Sequence, residues 1–103
     1  MPVVNRARYD IYADILSTLE FYSEAGISQI ARRANLPLDR AKKLIVFMQA
    51  RGLLVRYDNF ERRPKFVYRA TSKGAEYFAL YKELARLVVE ITEDEFSLID
   101  DST

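Results

Sequence analysis

Between Thr71 and Ile91 the chain reads TSKGAEYFALYKELARLVVEI, a long helical stretch that Thr71 can cap. Two apolar stripes run along it. Tyr77, Leu80, Leu84, Leu87 and Ile91 recur at alternating steps of three and four, the spacing of a coiled-coil seam. Phe78, Tyr81, Ala85 and Val88 form the second stripe. A helix apolar on two faces cannot bury both within 103 residues, the length of one domain. One stripe is expected to pack on the rest of the chain, and the other on a second copy.

The body that receives the first stripe lies upstream. In residues 6–22, Tyr12, Ile15, Leu16, Leu19 and Tyr22 keep the helical period and predict a helix with one buried face, ended before Gly26. Residues 28–34, SQIARRA, predict a short second helix with Ser28 as its N-cap. Its inner face is Ile30, Ala31 and Ala34, joined by Ile27; Gln29, Arg32 and Arg33 point outward. Asn35 tolerates the left-handed backbone that ends helices, Leu36 anchors the turn, and Pro37 can open the next helix. That third helix is expected from about 38 to 51, with Ala41, Leu44, Ile45 and Met48 inside and Gly52 as its stop. LLVRY (53–57) and FVYRA (66–70) are rich in β-branched and aromatic residues and predict a hairpin. Leu53, Val55 and Tyr57 are expected on one face of the first strand, and Phe66, Tyr68 and Ala70 on one face of the second. The fold class is mainly α with a small β-hairpin, α+β. The divisions expected are a body over 1–74, a long helix over 71–91 and an acidic tail over 92–103. That tail is either frayed or a short helix capped by Thr92 with Glu95.

Charge separates the two ends. Residues 1–74 hold 14 Lys and Arg against seven Asp and Glu, whereas residues 75–103 hold two against eight. The net charge of +1 therefore conceals a basic half that should seek a polyanion. Arg40, Lys42 and Lys43 crowd the start of the third helix, where cations oppose the helix dipole at about 0.3 kcal/mol each. Stability alone would favour acids there, and Asp39 is the one present. Arg62, Arg63 and Lys65 form a second cluster in the loop 58–65. Exposed cations are often merely solvated, so the weight falls on several clusters together.

Several function classes have no support. With neither Cys nor His, the chain has no disulfide framework, no usual zinc ligand set and no Ser–His or Cys–His nucleophile. No enzyme, cofactor or metal is expected. No apolar run approaches the ~20 residues that span a bilayer, and the N-terminus lacks the apolar core of a signal peptide. The expected location is cytoplasmic, on the nucleoid.

ISQIARRANLPLDRAKKLIVFMQARGLLV and VYRATSKGAEYF resemble the archaeal-type winged helix-turn-helix family. The matching residues are Ile30, Asn35, Leu36, Met48, Gly52, Leu53, Tyr68, Thr71 and Gly74. Pro37 stands where that family usually has a hydroxyl cap, and Ala70 where a larger aliphatic residue is usual. The resemblance implies duplex DNA binding, with a recognition helix at about 38–51 and a wing at about 53–70. A subset of the family dimerises through a long C-terminal helix paired as an antiparallel coiled coil, which the seam at 77–91 fits. It places Leu38, Asp39, Arg40, Lys42 and Lys43 toward the major groove. Arg40 is the candidate for guanine readout, and Lys42 and Lys43 for phosphate. Gln29, Arg32 and Arg33 are placed on the flanking backbone, and Arg62, Arg63 and Lys65 at the wing tip. The alternative is a protein-interaction winged helix using Val46 and Phe47. Five carboxylates in the tail could also fold against the basic face and weaken DNA binding.

Overall fold

A computed structural model of the chain describes residues 7–60 and 62–101, with side chains in that span as far as Glu90. The elements are α1 (Arg8–Tyr22), α2 (Ile27–Arg33), α3 (Leu38–Ala50), β1 (Leu54–Asp58), β2 (Phe66–Ala70) and α4 (Ser72–Asp101). This is the α+β order read from the sequence.

The first three helices enclose a core in which Ile11, Ile15, Leu16, Ile30, Ile45 and Met48 lose essentially all solvent contact. Ile11 replaces Tyr22 in the expected inner face of α1: Tyr22 is exposed, and Ile11 is buried beside Ile15. Near its last turn α1 has little left to pack against, so its stripe stops at Leu19. Gly26 does not break α1. The left-handed residue after the helix is Ser23, at φ 69°. Ser28 is not an N-cap either; it lies inside α2, whose N-cap is Gly26 in extended conformation.

Two helix ends close in the same way. After α2, Asn35 adopts φ 56°, its N–H reaches Arg32 O at 3.3 Å, and Leu36 N–H reaches Ala31 O at 2.8 Å. After α3, Gly52 adopts φ 78°, its N–H reaches Gln49 O at 3.0 Å, and Leu53 N–H reaches Met48 O at 2.9 Å. Both are Schellman closures, in which a left-handed residue lets two N–H groups satisfy orphan carbonyls. In each the next residue is a leucine, and Leu36 and Leu53 are both buried. Asn-Leu and Gly-Leu thus do one job twice, turning the chain and anchoring the turn in the core.

β1 and β2 pair antiparallel, with Leu54 opposite Ala70 and Arg56 opposite Tyr68. Directly opposed residues share a face, so Leu54, not Leu53, belongs to the strand's inner face, while Val55 and Tyr57 are exposed. A one-residue bridge between Ala25 and Tyr68 ties β2 to the α1–α2 turn.

The start of α4 is fastened to the end of α3. Thr71 N–H donates to Leu53 O at 3.1 Å, Thr71 Oγ1 to Gly52 O at 2.5 Å, and Lys73 Nζ to Arg51 O at 2.9 Å. Gly74 N–H donates to Thr71 Oγ1 at 3.1 Å, the expected cap. Tyr77 and Phe78 then pack on the core. Tyr81 Oη donates to Asp10 Oδ1 at 2.6 Å, and Lys82 pairs with Glu20 at 3.5 Å.

Beyond Lys82 the helix leaves the body. Leu84, Leu87, Val88 and Val89 are all exposed. The two stripes are therefore not divided inward and outward along their whole length. Tyr77 of one stripe and Phe78 of the other face the body, whereas the seam stripe is exposed from Leu80 to Leu87. α4 crosses α1 over residues 77–82, meeting Tyr9 and Asp10 near one end and Glu20 near the other, and the rest of its 30 residues, about 45 Å in all, runs past that crossing. The backbone of α4 continues unbroken through Asp101, rather than giving way to a tail or to a new helix capped by Thr92. Residues 92–101 contain no Gly or Pro to stop it. The side chain of Ile91 and the placement of the tail carboxylates lie outside the described residues.

Candidate nucleic-acid interface

The burial of one face of α3 decides what its other face offers. Ala41, Leu44, Ile45 and Met48 are buried, which leaves Leu38, Asp39, Arg40, Lys42 and Lys43 exposed in the first half of the helix. Pro37 stands at the N-cap with no side-chain cap bond, and Ala41 N–H reaches its carbonyl at 3.0 Å. Proline sets the helical entry by its fixed φ, in place of a hydroxyl.

On α2, Arg32 and Arg33 occupy the last turn, where cations suit the helix dipole. Gln29 is half-buried, so only part of its amide side chain is reachable. The Arg33 guanidinium lies 5.0 Å over Phe21 and 5.4 Å over Tyr22, two rings that meet edge to face. These exposed aromatics at the end of α1 hold Arg33 by cation–π attraction.

Arg62, Arg63 and Lys65 are exposed in the loop between the strands. Asn59 braces that loop: its N–H donates to Lys65 O at 2.6 Å and its Nδ2 to Pro64 O at 3.1 Å. Pro64 in turn rests on Gly26. A Cβ at Gly26 would stand 2.5 Å from Pro64 Cγ, so only glycine allows the approach. Arg62, Arg63, Lys65, Asn59 and Phe60 line a shallow depression of about 350 Å³.

A further cation, on β2, is committed elsewhere. Arg69 pairs with Glu24 at 2.7 Å and lies 4.7 Å over the Tyr57 ring. The hydrogen bond that the Arg69 guanidinium donates to Glu24 raises its pKa further, holding it charged. Arg56 lies 4.4 Å over Phe66. The aromatics flanking the loop therefore serve the hairpin. Phe60 does not, and sequence reasoning misses it; its place among polar loop residues is the signal that could have found it.

Of the two apolar residues considered for a protein partner, Val46 is exposed. Phe47 is half-buried and stacked on Tyr12 of α1 at 5.8 Å, with the Arg51 guanidinium 4.9 Å above it. On α4, Leu80, Leu84, Val88 and Val89 join Tyr77 and Tyr81 along an open apolar groove of about 650 Å³. Among the described residues no helix is long and apolar enough to cross a membrane, and no cluster of acidic side chains could hold a metal ion.

No curated protein matches this chain in sequence. Solved structures do match it in fold. Sso10a-2, a DNA-binding protein from Sulfolobus solfataricus, superposes with a TM-score of 0.76 at 19% identity, over 92% of this chain and 95% of that one. FabT from Streptococcus pneumoniae, solved in complex with DNA, gives 0.68 at 16% identity, over 88% of this chain and 67% of that one. BpsR from Bordetella bronchiseptica, whose DNA binding is regulated by 6-hydroxynicotinic acid, gives 0.68 at 15% identity, over 89% and 68%. A sequence model of the winged helix-turn-helix matches residues 5–88, spanning both Schellman closures, the hairpin and the start of α4, and the chain belongs to that family.

Proposed function

We propose that the protein binds duplex DNA as a homodimer, as a transcriptional regulator or a chromosomal architectural protein. The observation that carries this reading is the exposed first half of α3, where Arg40, Lys42 and Lys43 stand on a helix whose opposite face is locked in the core. In this reading α3 enters the major groove, Arg40 reads guanine O6 and N7, and Lys42 and Lys43 contact phosphates. Leu38 and Asp39 border the base edges. Gln29, Arg32 and Arg33 lie along the flanking backbone. Arg62, Arg63 and Lys65 follow the backbone or minor groove from the wing. The DNA binding of Sso10a-2 and the FabT complex with DNA support the reading.

Dimerisation would run through α4. Its support is the exposure of Leu80, Leu84 and Leu87, which continue the seam begun at Tyr77 and extended by Ile91. The protein-interaction alternative is weakened, because Phe47 is engaged by Tyr12 and leaves Val46 alone.

Fluorescence titration of duplex DNA at several salt concentrations tests the reading. If each protomer neutralises roughly five phosphates, log K falls with log salt at a slope of about −9. Replacing Arg62 and Arg63 by Ala in both protomers removes four cations and should reduce that slope by about 3.6, with little change in stability. A slope near zero would exclude DNA as the partner. Selection from a random DNA pool then separates the two roles: a sharp motif marks a regulator, and its absence an architectural protein.

A further inference from the structure

Phe60 is the most exposed large hydrophobic side chain among the described residues, at 86%. The other hairpin rings have partners: Tyr57 lies under Arg69, Phe66 under Arg56, and Tyr68 is buried. Phe60 stands at the tip of a loop that is firmly held. Asn59 ties both sides of that loop together, Arg62 N–H reaches Asn59 O at 3.4 Å, and Pro64 seats on Gly26.

Its surroundings restrict what can cover it. The depression beside the ring is lined, among the described residues, by Asn59, Arg62, Arg63 and Lys65, none of them a carboxylate. Residues 56–65 hold four cations against two acids, Asp58 and Glu61. A second copy of this tip would be repelled, and a plain apolar surface would leave the cations without partners. The matching surface has anionic edges and an apolar interior. In duplex DNA, two phosphate rows flank the stacked bases exposed along the minor groove.

Building on the DNA-binding reading, we propose that Phe60 is a wedge. Arg62, Arg63 and Lys65 seat the wing on the phosphates, and the ring enters a base step from the minor groove, unstacking it and kinking the duplex. Pyrimidine–purine steps open most readily, so Phe60 would give a preference for them without any hydrogen bond to a base.

The test uses the full-length protein and a duplex carrying 2-aminopurine at a central TA step, with a fluorophore pair at its ends. Binding by the wild type should raise 2-aminopurine emission and shorten the end-to-end distance. Phe60→Ala should bind about tenfold more weakly, within the range for loss of an aromatic stacking contact. It should keep the same salt slope and abolish both optical changes. Phe60→Leu, still an apolar wedge, should keep part of the kink. Salt-dependent binding by the wild type with neither optical change would overturn the wedge and leave DNA binding intact. Phe60→Ala behaving as wild type would do the same. Absence of salt-dependent binding by the wild type would overturn the DNA-binding reading, and this proposal with it.

Discussion

Replacing Gly74 by alanine should destabilise the protein, although Gly74 stands in the first turn of a helix. Helix propensity alone would favour alanine by about 1 kcal/mol. The joint between α3 and α4 reverses the sign. A Cβ at Gly74 would run into the Leu53 carbonyl oxygen and stand 3.1 Å from Leu16 Cδ2. The first obstacle is backbone, which cannot rotate away as a flexible side chain can. That same carbonyl accepts Thr71 N–H, and the adjoining Gly52 carbonyl accepts the Thr71 hydroxyl. Relief requires lifting α4 off the α3–β1 corner and straining these bonds. Overpacking of this kind costs about 1–3 kcal/mol, and the rigid obstacle places this site at the upper end. After the propensity gain, a loss of about 2 kcal/mol remains. Thermal unfolding followed by circular dichroism should show a midpoint roughly 8–16 °C lower, compared at equal protein concentration because dimerisation would contribute to stability. An unchanged or raised midpoint would refute the close approach of α4 to Leu53. The family motif would then have no steric reason to carry glycine at this position.

Two further predictions concern α4. Leu84→Glu places a carboxylate in the proposed seam of each copy. It should weaken the dimer by about 4 kcal/mol, several hundredfold in Kd. Sedimentation equilibrium would then show monomer, whereas an unchanged dimer would remove Leu84 from the interface. Tyr81 donates its hydroxyl proton to Asp10, and this bond, aided by burial and the Asp10 charge, pushes its pKa up to about 12 from 10.0. The folded state thus favours protonated Tyr81. The stability so gained is complete below pH 10 and lost as pH rises toward 12. The stability difference between wild type and Tyr81→Phe, read from urea midpoints at pH 8 and pH 11, should shrink at the higher pH. A constant difference would show that this hydrogen bond does not set the titration.

Element order was legible in the sequence because its causes are local. Asn35 and Gly52 announce left-handed turns by their own backbone preferences, and the leucine after each announces an anchor. Thr71 announces a cap three residues before the N–H that it satisfies. The period of α3 separates Ala41, Leu44, Ile45 and Met48 from Arg40, Lys42 and Lys43 without reference to any other element. The cation clusters of the candidate site were legible for the same reason.

Tertiary structure settled the questions that depend on residues distant in the chain. Nothing local separates Arg69 from the other four cations of residues 53–70, yet Glu24, 45 positions earlier, pairs with it. Gly26 read as a helix breaker, yet its constraint is the ring of Pro64 packed against it. Ile11 displaced Tyr22 because the first helix outruns its packing partners. The two stripes of α4 have one pattern throughout, so no local rule could say where burial ends. The crossing with α1 sets that point near Lys82. Beyond it Leu84, Leu87 and Val89 are exposed, the surface on which the proposed dimer rests.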